Sequence, residues 1–169
     1  MHLPDSSISL RGIQDSDRAF LISLYASVRE EELRPTGWSD AQKNAFIASQ
    51  FQAQHQAYAQ YPNTEFFLVL QHAAPVGRIY LQHREQAILI VDVSLIAAAR
   101  GQGIGSALLQ AVSGLATTRQ KSVQIHVEKF NPALRLYQRL GFQLLADKGV
   151  YLFLEWRPQA NGAGDSPPA

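Results

Sequence analysis

The chain has 169 residues, a formal net charge of +1 and no cysteine. This length predicts one domain, and an apolar fraction of 46% suits a globular protein with a sizeable core. The balanced charge gives no attraction to nucleic acid or to a membrane surface. The missing cysteines exclude disulfides, thiolate metal sites and a cysteine nucleophile, and we expect no metal. No apolar run approaches the roughly 20 residues of a membrane helix, and the N-terminus lacks a signal pattern, so a cytoplasmic protein is expected.

The first third of the chain predicts a strand followed by two helices. Residues 8–11 alternate apolar and polar side chains, and a helix with apolar residues at helical spacing follows them. A polar link at residues 29–38 then separates the two helices. Ser39 and Gln42 have the spacing of a capping box, which opens a second helix that stops before Pro62.

Residues 65–96 predict three consecutive strands, of which the first two form a hairpin. The third, at residues 87–96, is almost continuously apolar, which is typical of a strand covered on both faces. Strict alternation along it places Asp92 and Ser94 on the same face as Ile90.

The rest of the chain alternates helices and strands. A helix follows a glycine-rich loop, residues 122–128 form a strand, and Asn131 caps a helix that has Pro132 at its first position and ends at Gly141. A hairpin at residues 142–156 closes the domain. We therefore expect one α/β domain at residues 1–157 with a mixed sheet, and a disordered tail at residues 158–169.

The glycine-rich loop has the sequence Arg100-Gly101-Gln102-Gly103-Ile104-Gly105-Ser106. Glycines at alternate positions let the backbone approach a ligand closely. A helix that begins directly after such a loop presents unbonded N–H groups and its positive dipole end. This pattern indicates an anion site, most naturally for phosphate. The alternative is a turn that only serves the geometry of the helix.

Two nucleotide-binding patterns do not fit this loop. A Walker A loop needs a lysine after its last glycine, but Gly105 is followed by Ser106. The dinucleotide fingerprint needs a third glycine at position 106 and an acidic residue about 20 positions further on. Residues 119–121 are Arg-Gln-Lys, so that acid is missing.

Two motifs resemble those of the GNAT N-acetyltransferase superfamily. Residues 100–105 fit its Gln/Arg-x-x-Gly-x-Gly/Ala pattern, and residues 131–142, Asn-Pro-Ala-Leu-Arg-Leu-Tyr-Gln-Arg-Leu-Gly-Phe, are similar to its second cofactor segment. The order of the predicted elements also matches over about residues 8–156. The resemblance implies a mostly antiparallel, splayed sheet flanked by helices. It also implies that acetyl-coenzyme A lies between the strand before the loop and the strand before Asn131.

By the same resemblance, the loop amides hold the pyrophosphate, the edge of the preceding strand pairs with the pantetheine, and Tyr137 lies near the thioester sulfur. The cofactor-binding residues implied in this way are Val93, Leu95, Arg100, Gln102, Gly103, Ile104, Gly105, Ser106, Asn131 and Tyr137.

Acetyl transfer to an amine needs a neutral amine, a stabilised oxyanion and a proton for the departing thiolate. Tyr137, with an ordinary pKa of about 10, is the expected proton donor, although core packing alone also explains a tyrosine on this helix. Asp92 is the expected proton acceptor, because an isolated carboxylate is costly in an apolar strand and so favours a cleft. One alternative is a buried carboxylate paired with an arginine or with backbone donors. His126 and Glu128, on the polar face of the next strand, are the other candidates for the base, and the resemblance also allows water to relay the proton.

The amine acceptor is expected on the other side of the sheet, against the first two helices. Its predicted walls, each also a natural core residue, are Tyr25, Trp38, Phe51, Gln54, Tyr80 and His126. The resulting hypothesis is an N-acetyltransferase that moves acetyl from acetyl-coenzyme A directly to a primary amine of a small molecule or peptide. The alternative is a non-catalytic acyl-coenzyme A-binding or sensor module. A homodimer is an expectation from the family alone.

Overall fold

The structure is a computed structural model that describes residues 1–159, apart from the side chains of residues 31 and 32. Most of the tail that we predicted at residues 158–169 therefore lies outside the described residues. The strands are β1 Ile8–Gly12, β2 Thr64–Gln71, β3 Ala74–His83, β4 Ala87–Leu95, β5 Ser122–Glu128, β6 Gln143–Asp147 and β7 Tyr151–Trp156. The α-helices are α1 Arg18–Leu33, α2 Asp40–Ala59, α3 Ile104–Thr118 and α4 Leu134–Arg139. None of the described helices is both long and apolar enough to cross a membrane.

The strands form a single open sheet in the order β1-β2-β3-β4-β5-β7-β6. Among the described strands, β4 and β5 are the one parallel pair, and the other neighbours are antiparallel. α3 connects β4 and β5, as a parallel pair requires. The expected mixed, mostly antiparallel α/β fold is confirmed.

The sheet splays in its middle. β4 and β5 pair from Ala87 opposite Ser122 as far as Ile90 opposite Ile125, and the pairing then ends. β4 continues to Leu95 and β5 to Glu128, so the two strands diverge over their last residues. The splayed sheet implied by the resemblance is confirmed, and the divergence opens a gap at the end of β4 where the glycine loop begins.

The sheet separates two apolar cores. One lies under α3, whose Ile104, Leu108 and Val112 recur at four-residue spacing and are buried against the sheet. The other lies under α1 and α2, where Leu21 and Phe51 are buried. The sheet is therefore held from both faces.

Local signals set most helix boundaries. The predicted capping box opens α2: the Gln42 N–H donates to Ser39 Oγ at 3.2 Å, and the Ser39 N–H donates to Gln42 Oε1 at 2.9 Å. Two boundaries differ from prediction. α1 continues through residues 29–33, where we expected a polar link. α4 begins at Leu134 instead of just after Asn131, because Asn131 Oδ1 accepts the Ala133 N–H at 2.9 Å and folds these residues into a turn.

Candidate active site

A β-bulge in β4 decides which way its polar side chains point. Tyr80 of β3 pairs with Asp92, while the next residue, Leu81, pairs with Ile90, so Val91 is an extra residue in β4. Directly opposed residues share a face of the sheet, and Tyr80 and Leu81 lie on opposite faces. The prediction that Asp92 shares a face with Ile90 is therefore wrong. Ile90 is buried in the core under α3, and Asp92 points to the α2 side.

Asp92 lies at the centre of a hydrogen-bonded group that we call the Asp92 cluster, made of Asp92, Arg78, Ser94, Tyr58 and Gln54. Arg78 donates to Asp92 through Nη2 at 3.0 Å and through Nε at 3.4 Å. Ser94 Oγ donates at 2.8 Å and the Tyr58 hydroxyl at 3.3 Å. Gln54 Oε1 accepts from Arg78 Nη2 at 2.8 Å. The carboxylate thus has four donors from three elements.

Arg78 is 3% exposed, so its charge needs a partner inside the protein. Burial is the largest single influence on Arg78 and lowers its pKa, but the charge and hydrogen bonds of Asp92, together with Tyr80 and Tyr58, outweigh burial and raise the pKa above its usual value. The structure thus places Asp92 in the paired role that the sequence left as an alternative. Its role as proton acceptor stays a prediction.

The gap between the splayed strands has a volume of about 270 Å³, and we call it the cleft. It is lined by residues 90–94 of β4 and residues 125–128 of β5, and also by Asn131 and Tyr137. Of the predicted site residues, the structure brings five together here: Asp92, Val93, His126, Asn131 and Tyr137.

Tyr137 reaches the cleft from α4. Its ring packs edge-on against Phe142 with centroids 5.6 Å apart, so the ring belongs to the core. Among the described residues none forms a hydrogen bond with its hydroxyl. Burial, with the nearby charge of Asp92, raises the pKa of Tyr137 to about 12. The hydroxyl therefore keeps its proton at neutral pH and is available as a donor in the cleft.

The glycine loop lies at the end of β4 and leads into α3. Gly101 and Gly103 have φ values of 73° and 81°, a left-handed conformation that glycine adopts without strain. A Cβ at either position would meet no atom within 4 Å, so the backbone there is open to a ligand. The Ala107 N–H donates to the Gly103 carbonyl at 3.0 Å, and the N–H groups before it have no carbonyl one turn back.

Two side chains of the loop bond to backbone carbonyls just before it and so hold the loop in place. Arg100 Nε donates to the Leu95 carbonyl at 3.1 Å, and Gln102 Nε2 donates to the Ala98 carbonyl at 2.7 Å. Ile104 is buried in the core and fixes the start of α3. The loop thus presents backbone donors and the positive end of a 15-residue helix, an arrangement that fits the phosphates of a cofactor.

Five of the six predicted acceptor walls lie outside the cleft. Tyr25 and Phe51 pack edge-on at 6.2 Å in the core under α1 and α2. Tyr80 is buried, Gln54 belongs to the Asp92 cluster, and Trp38 lies exposed against Phe46. None of these five, all of them among the described residues, lines the cleft. His126, the sixth, does line the cleft.

A second cavity of about 640 Å³, which we call the side chamber, adjoins the cleft. The two cavities share Ile90, Val91, His126 and Tyr151 in their walls. Sequence reasoning missed most of the side chamber. The members that it did not single out for the site are Tyr58, Tyr61, Pro62, Gln82, Arg84, Leu89, Ile90, Val91, Lys148 and Tyr151. The one usable signal was Tyr58, which follows Gln54 by four residues on α2.

His126 sits where the two cavities meet. Its ring stacks on Phe153 with centroids 4.6 Å apart, and its Nε2 lies 3.1 Å from Lys148 Nζ. Burial and then the positive charges of Lys148 and Arg84 lower the pKa of His126. The imidazole is therefore neutral at neutral pH and accepts the hydrogen bond from Lys148.

A splayed sheet, a phosphate-type loop at the end of one diverging strand and a protonated tyrosine in the gap together define an acyltransferase fold. Comparisons with known proteins agree. Residues 62–144 match the family model "Acetyltransferase (GNAT) domain". Among curated proteins no relative of the chain is found.

Solved structures extend the likeness to most of the chain. PaiA N-acetyltransferase from Thermoplasma acidophilum, in complex with coenzyme A, has a TM-score of 0.68 at 16% identity, covering 90% of this chain and 99% of that one. An acetyltransferase from Thermus thermophilus has a TM-score of 0.67 at 18% identity, covering 94% and 100%. Arabidopsis thaliana Naa50, in complex with the bisubstrate analogue CoA-Ac-MVNAL, has a TM-score of 0.55 at 21% identity, covering 88% and 97%. Residues 62–144 are thus identified as a GNAT acetyltransferase domain, and the chain as a whole has the fold of these solved structures.

Proposed function

We propose that the protein is an acetyl-coenzyme A-dependent N-acetyltransferase that transfers acetyl directly to a primary amine of a small molecule or peptide. The observation that carries the proposal is the Tyr137 hydroxyl, which is protonated, lines the cleft and has no hydrogen-bond partner among the described residues. A homodimer and a cytoplasmic location stay predictions from the sequence.

In this proposal the loop residues hold the cofactor. The N–H groups from Gln102 to Ser106 would bind its pyrophosphate, and Arg100 and Asn131 would flank it. Val93 and Leu95 would present the backbone of β4 to the pantetheine, since β4 has no pairing with β5 beyond Ile90. Acetyl-coenzyme A supplies an activated acyl group. The solved complexes of PaiA with coenzyme A and of Naa50 with a coenzyme A analogue support this assignment.

Tyr137 acts as a hydrogen-bond donor to the sulfur that leaves. An ordinary thiol has a pKa of about 8.5, whereas the pKa of Tyr137 is about 12. Complete proton transfer from tyrosine to thiolate would therefore be uphill by about 5 kcal/mol, at about 1.4 kcal/mol for each pKa unit. A donated hydrogen bond to a charged group contributes about 1.5–3 kcal/mol, and this is the contribution that we assign to Tyr137.

Asp92 acts through its charge in this proposal, not as the proton acceptor. Its oxygens already accept four hydrogen bonds, two of them from Arg78. An amine that arrives neutral, or that loses its proton to water, does not need a carboxylate base.

The test is Tyr137→Phe, which keeps the ring packed on Phe142 and removes only the hydroxyl. With acetyl-coenzyme A and a broad panel of amines, thiol release should fall about 10- to 100-fold while the affinity for coenzyme A is retained. Tyr25→Phe is the matched control, since Tyr25 lies in the core under α1 and α2, and its turnover should not change.

Unchanged turnover and affinity in Tyr137→Phe would remove the donor role. Binding of acetyl-coenzyme A by the wild-type chain, with no thiol release for any amine of the panel, would favour the non-catalytic acyl-coenzyme A module.

A further inference from the structure

The side chamber carries positive charge without a carboxylate to balance it. Arg84 and Lys148 line it, and among the residues whose side chains are described neither forms an ion pair. Their hydrogen-bond partners are neutral: Arg84 Nε donates to Gln82 Oε1 at 3.0 Å, and Lys148 Nζ lies 3.1 Å from His126 Nε2. Two cations on one cavity wall favour an anionic occupant.

The described residues that line the cleft include two acidic side chains and no lysine or arginine. Its wall carries Asp92, which Arg78 neutralises, and Glu128, which is exposed at the end of β5. The adjoining cavities therefore place a carboxylate near Tyr137 and two cations further along. A molecule with an amine at one end and an anionic group at the other matches this polarity.

The pKa of His126 responds to the same two positive charges. Arg84 and Lys148 both lower the pKa of His126, after the effect of burial, so both charges act at the junction of the two cavities. An anion bound between them would reverse this effect and raise the pKa of His126.

We propose that the amine acceptor carries a carboxylate, which binds Lys148 and Arg84 in the side chamber while the amine enters the cleft. This inference rests on the proposed acetyl transfer. The rings of Tyr58, Tyr61 and Tyr151 line the same side chamber and would contact the apolar body of such a molecule. The acceptor class is thus an amino acid or another amine with a free carboxylate.

The first test is binding and does not depend on turnover. The full chain is titrated with a panel of N-acetyl amino acids, each paired with its C-terminal amide, which differs only in lacking the negative charge. The His126 imidazole signals, assigned with the His126→Gln variant, are followed by NMR. We expect acids to bind at least about tenfold more tightly than their amides and to raise the pKa of His126.

The second test removes one cation. Lys148 is exposed, so Lys148→Gln should fold normally, and it should reduce the preference for the acids to less than about threefold. Lys43→Gln on α2, outside both cavities, is the control and should keep the preference. Equal binding of acids and amides by the wild-type chain, or a preference that survives in Lys148→Gln, would overturn the proposal.

Turnover separates the two proposals. The chain is given acetyl-coenzyme A with free amino acids, each paired with its amide. Faster acetylation of the free acids supports both the acetyl transfer and the carboxylate site. Acetylation of the amides at equal or higher rate overturns the carboxylate site and leaves acetyl transfer standing. Preferential binding of the acids without transfer to any amine overturns the proposed acetyl transfer and leaves the anionic site standing.

Discussion

Replacing Asp92 by asparagine would remove one charge from a buried ion pair and leave the shape of the side chain almost unchanged. The Asp92 side chain is 14% exposed and that of Arg78 is 4% exposed. In Asp92→Asn the guanidinium therefore stays buried with no opposing charge, although Ser94 and Tyr58 can still donate to the amide oxygen.

The size of the effect follows from this burial. Removing one partner of a buried ion pair costs about 3–5 kcal/mol, because the remaining charge is uncompensated. Since Asp92 keeps some contact with solvent and asparagine keeps part of the hydrogen bonding, we expect the lower end, about 3 kcal/mol. In a chain of 169 residues this corresponds to a fall of about 6–12 °C in the melting temperature.

Urea unfolding followed by circular dichroism measures this loss for Asp92→Asn, Arg78→Met and the double variant. The double variant should be more stable than the sum of the two single losses predicts, because it leaves no unpaired charge. A loss below about 1 kcal/mol in Asp92→Asn, or additive losses, would refute the reasoning that the pair is buried and coupled.

The same variant separates two roles of Asp92 in catalysis. If Asp92 takes the proton of the amine, the rise of kcat with pH should disappear in Asp92→Asn. If it acts only through its charge, kcat falls but keeps its dependence on pH, and this second result is the one that we expect.

Three further predictions concern stability. Arg11 donates to Asp17 at 2.7 Å and lowers the pKa of Asp17 to about 2, against about 3.9 in the unfolded chain. The ionised carboxylate therefore stabilises the fold by about 1–2 kcal/mol above about pH 4. This contribution is lost as the pH falls towards 2. Asp17→Asn should thus lose less stability on acidification than the wild type in urea titrations at several pH values, and equal losses would contradict the account. In Gly77→Ala the added Cβ would lie 2.2 Å from the Ser94 carbonyl oxygen, so β4 must shift. The melting temperature should fall by several degrees, and coenzyme A should bind more weakly in calorimetry. An unchanged melting temperature and an unchanged affinity would show that β4 can shift without cost. Ser39→Ala removes the capping box of α2 and should lower the free energy of unfolding by about 1 kcal/mol in urea. A loss of only a few tenths of a kcal/mol would contradict a stabilising role for this cap.

Features that depend on neighbouring residues could be predicted from the sequence. The capping box at Ser39 needs only a residue three positions away, and the hairpin of β2 and β3 pairs two strands that follow each other directly in the chain. The glycine loop belongs to the same class, because its backbone geometry is set by Gly101 and Gly103 and by the helix that follows.

The orientation of Asp92 could not be predicted in this way. Strict alternation fails at Val91, which is an extra residue only in relation to β3. A bulge is a property of a strand pair, so no pattern within β4 shows it.

The acceptor side depends still more on tertiary structure. Aromatic residues have the same composition and spacing in a core as in a cavity wall, which is why Tyr25 and Phe51 were predicted as walls and lie in the core. Arg84, Lys148 and Tyr151 come from separate turns and strands, and only the folded sheet brings them together.

Transfer of a labelled acetyl group tests the central claim most directly. The full chain is incubated with acetyl-coenzyme A carrying 13C in its acetyl group and with the panel of amines, and mass spectrometry follows the label. The account predicts that the label moves to the nitrogen of an amine, with one free thiol formed for each acetyl transferred. A chain that binds ATP or NAD tightly and shows neither binding of coenzyme A nor transfer of the label would contradict it.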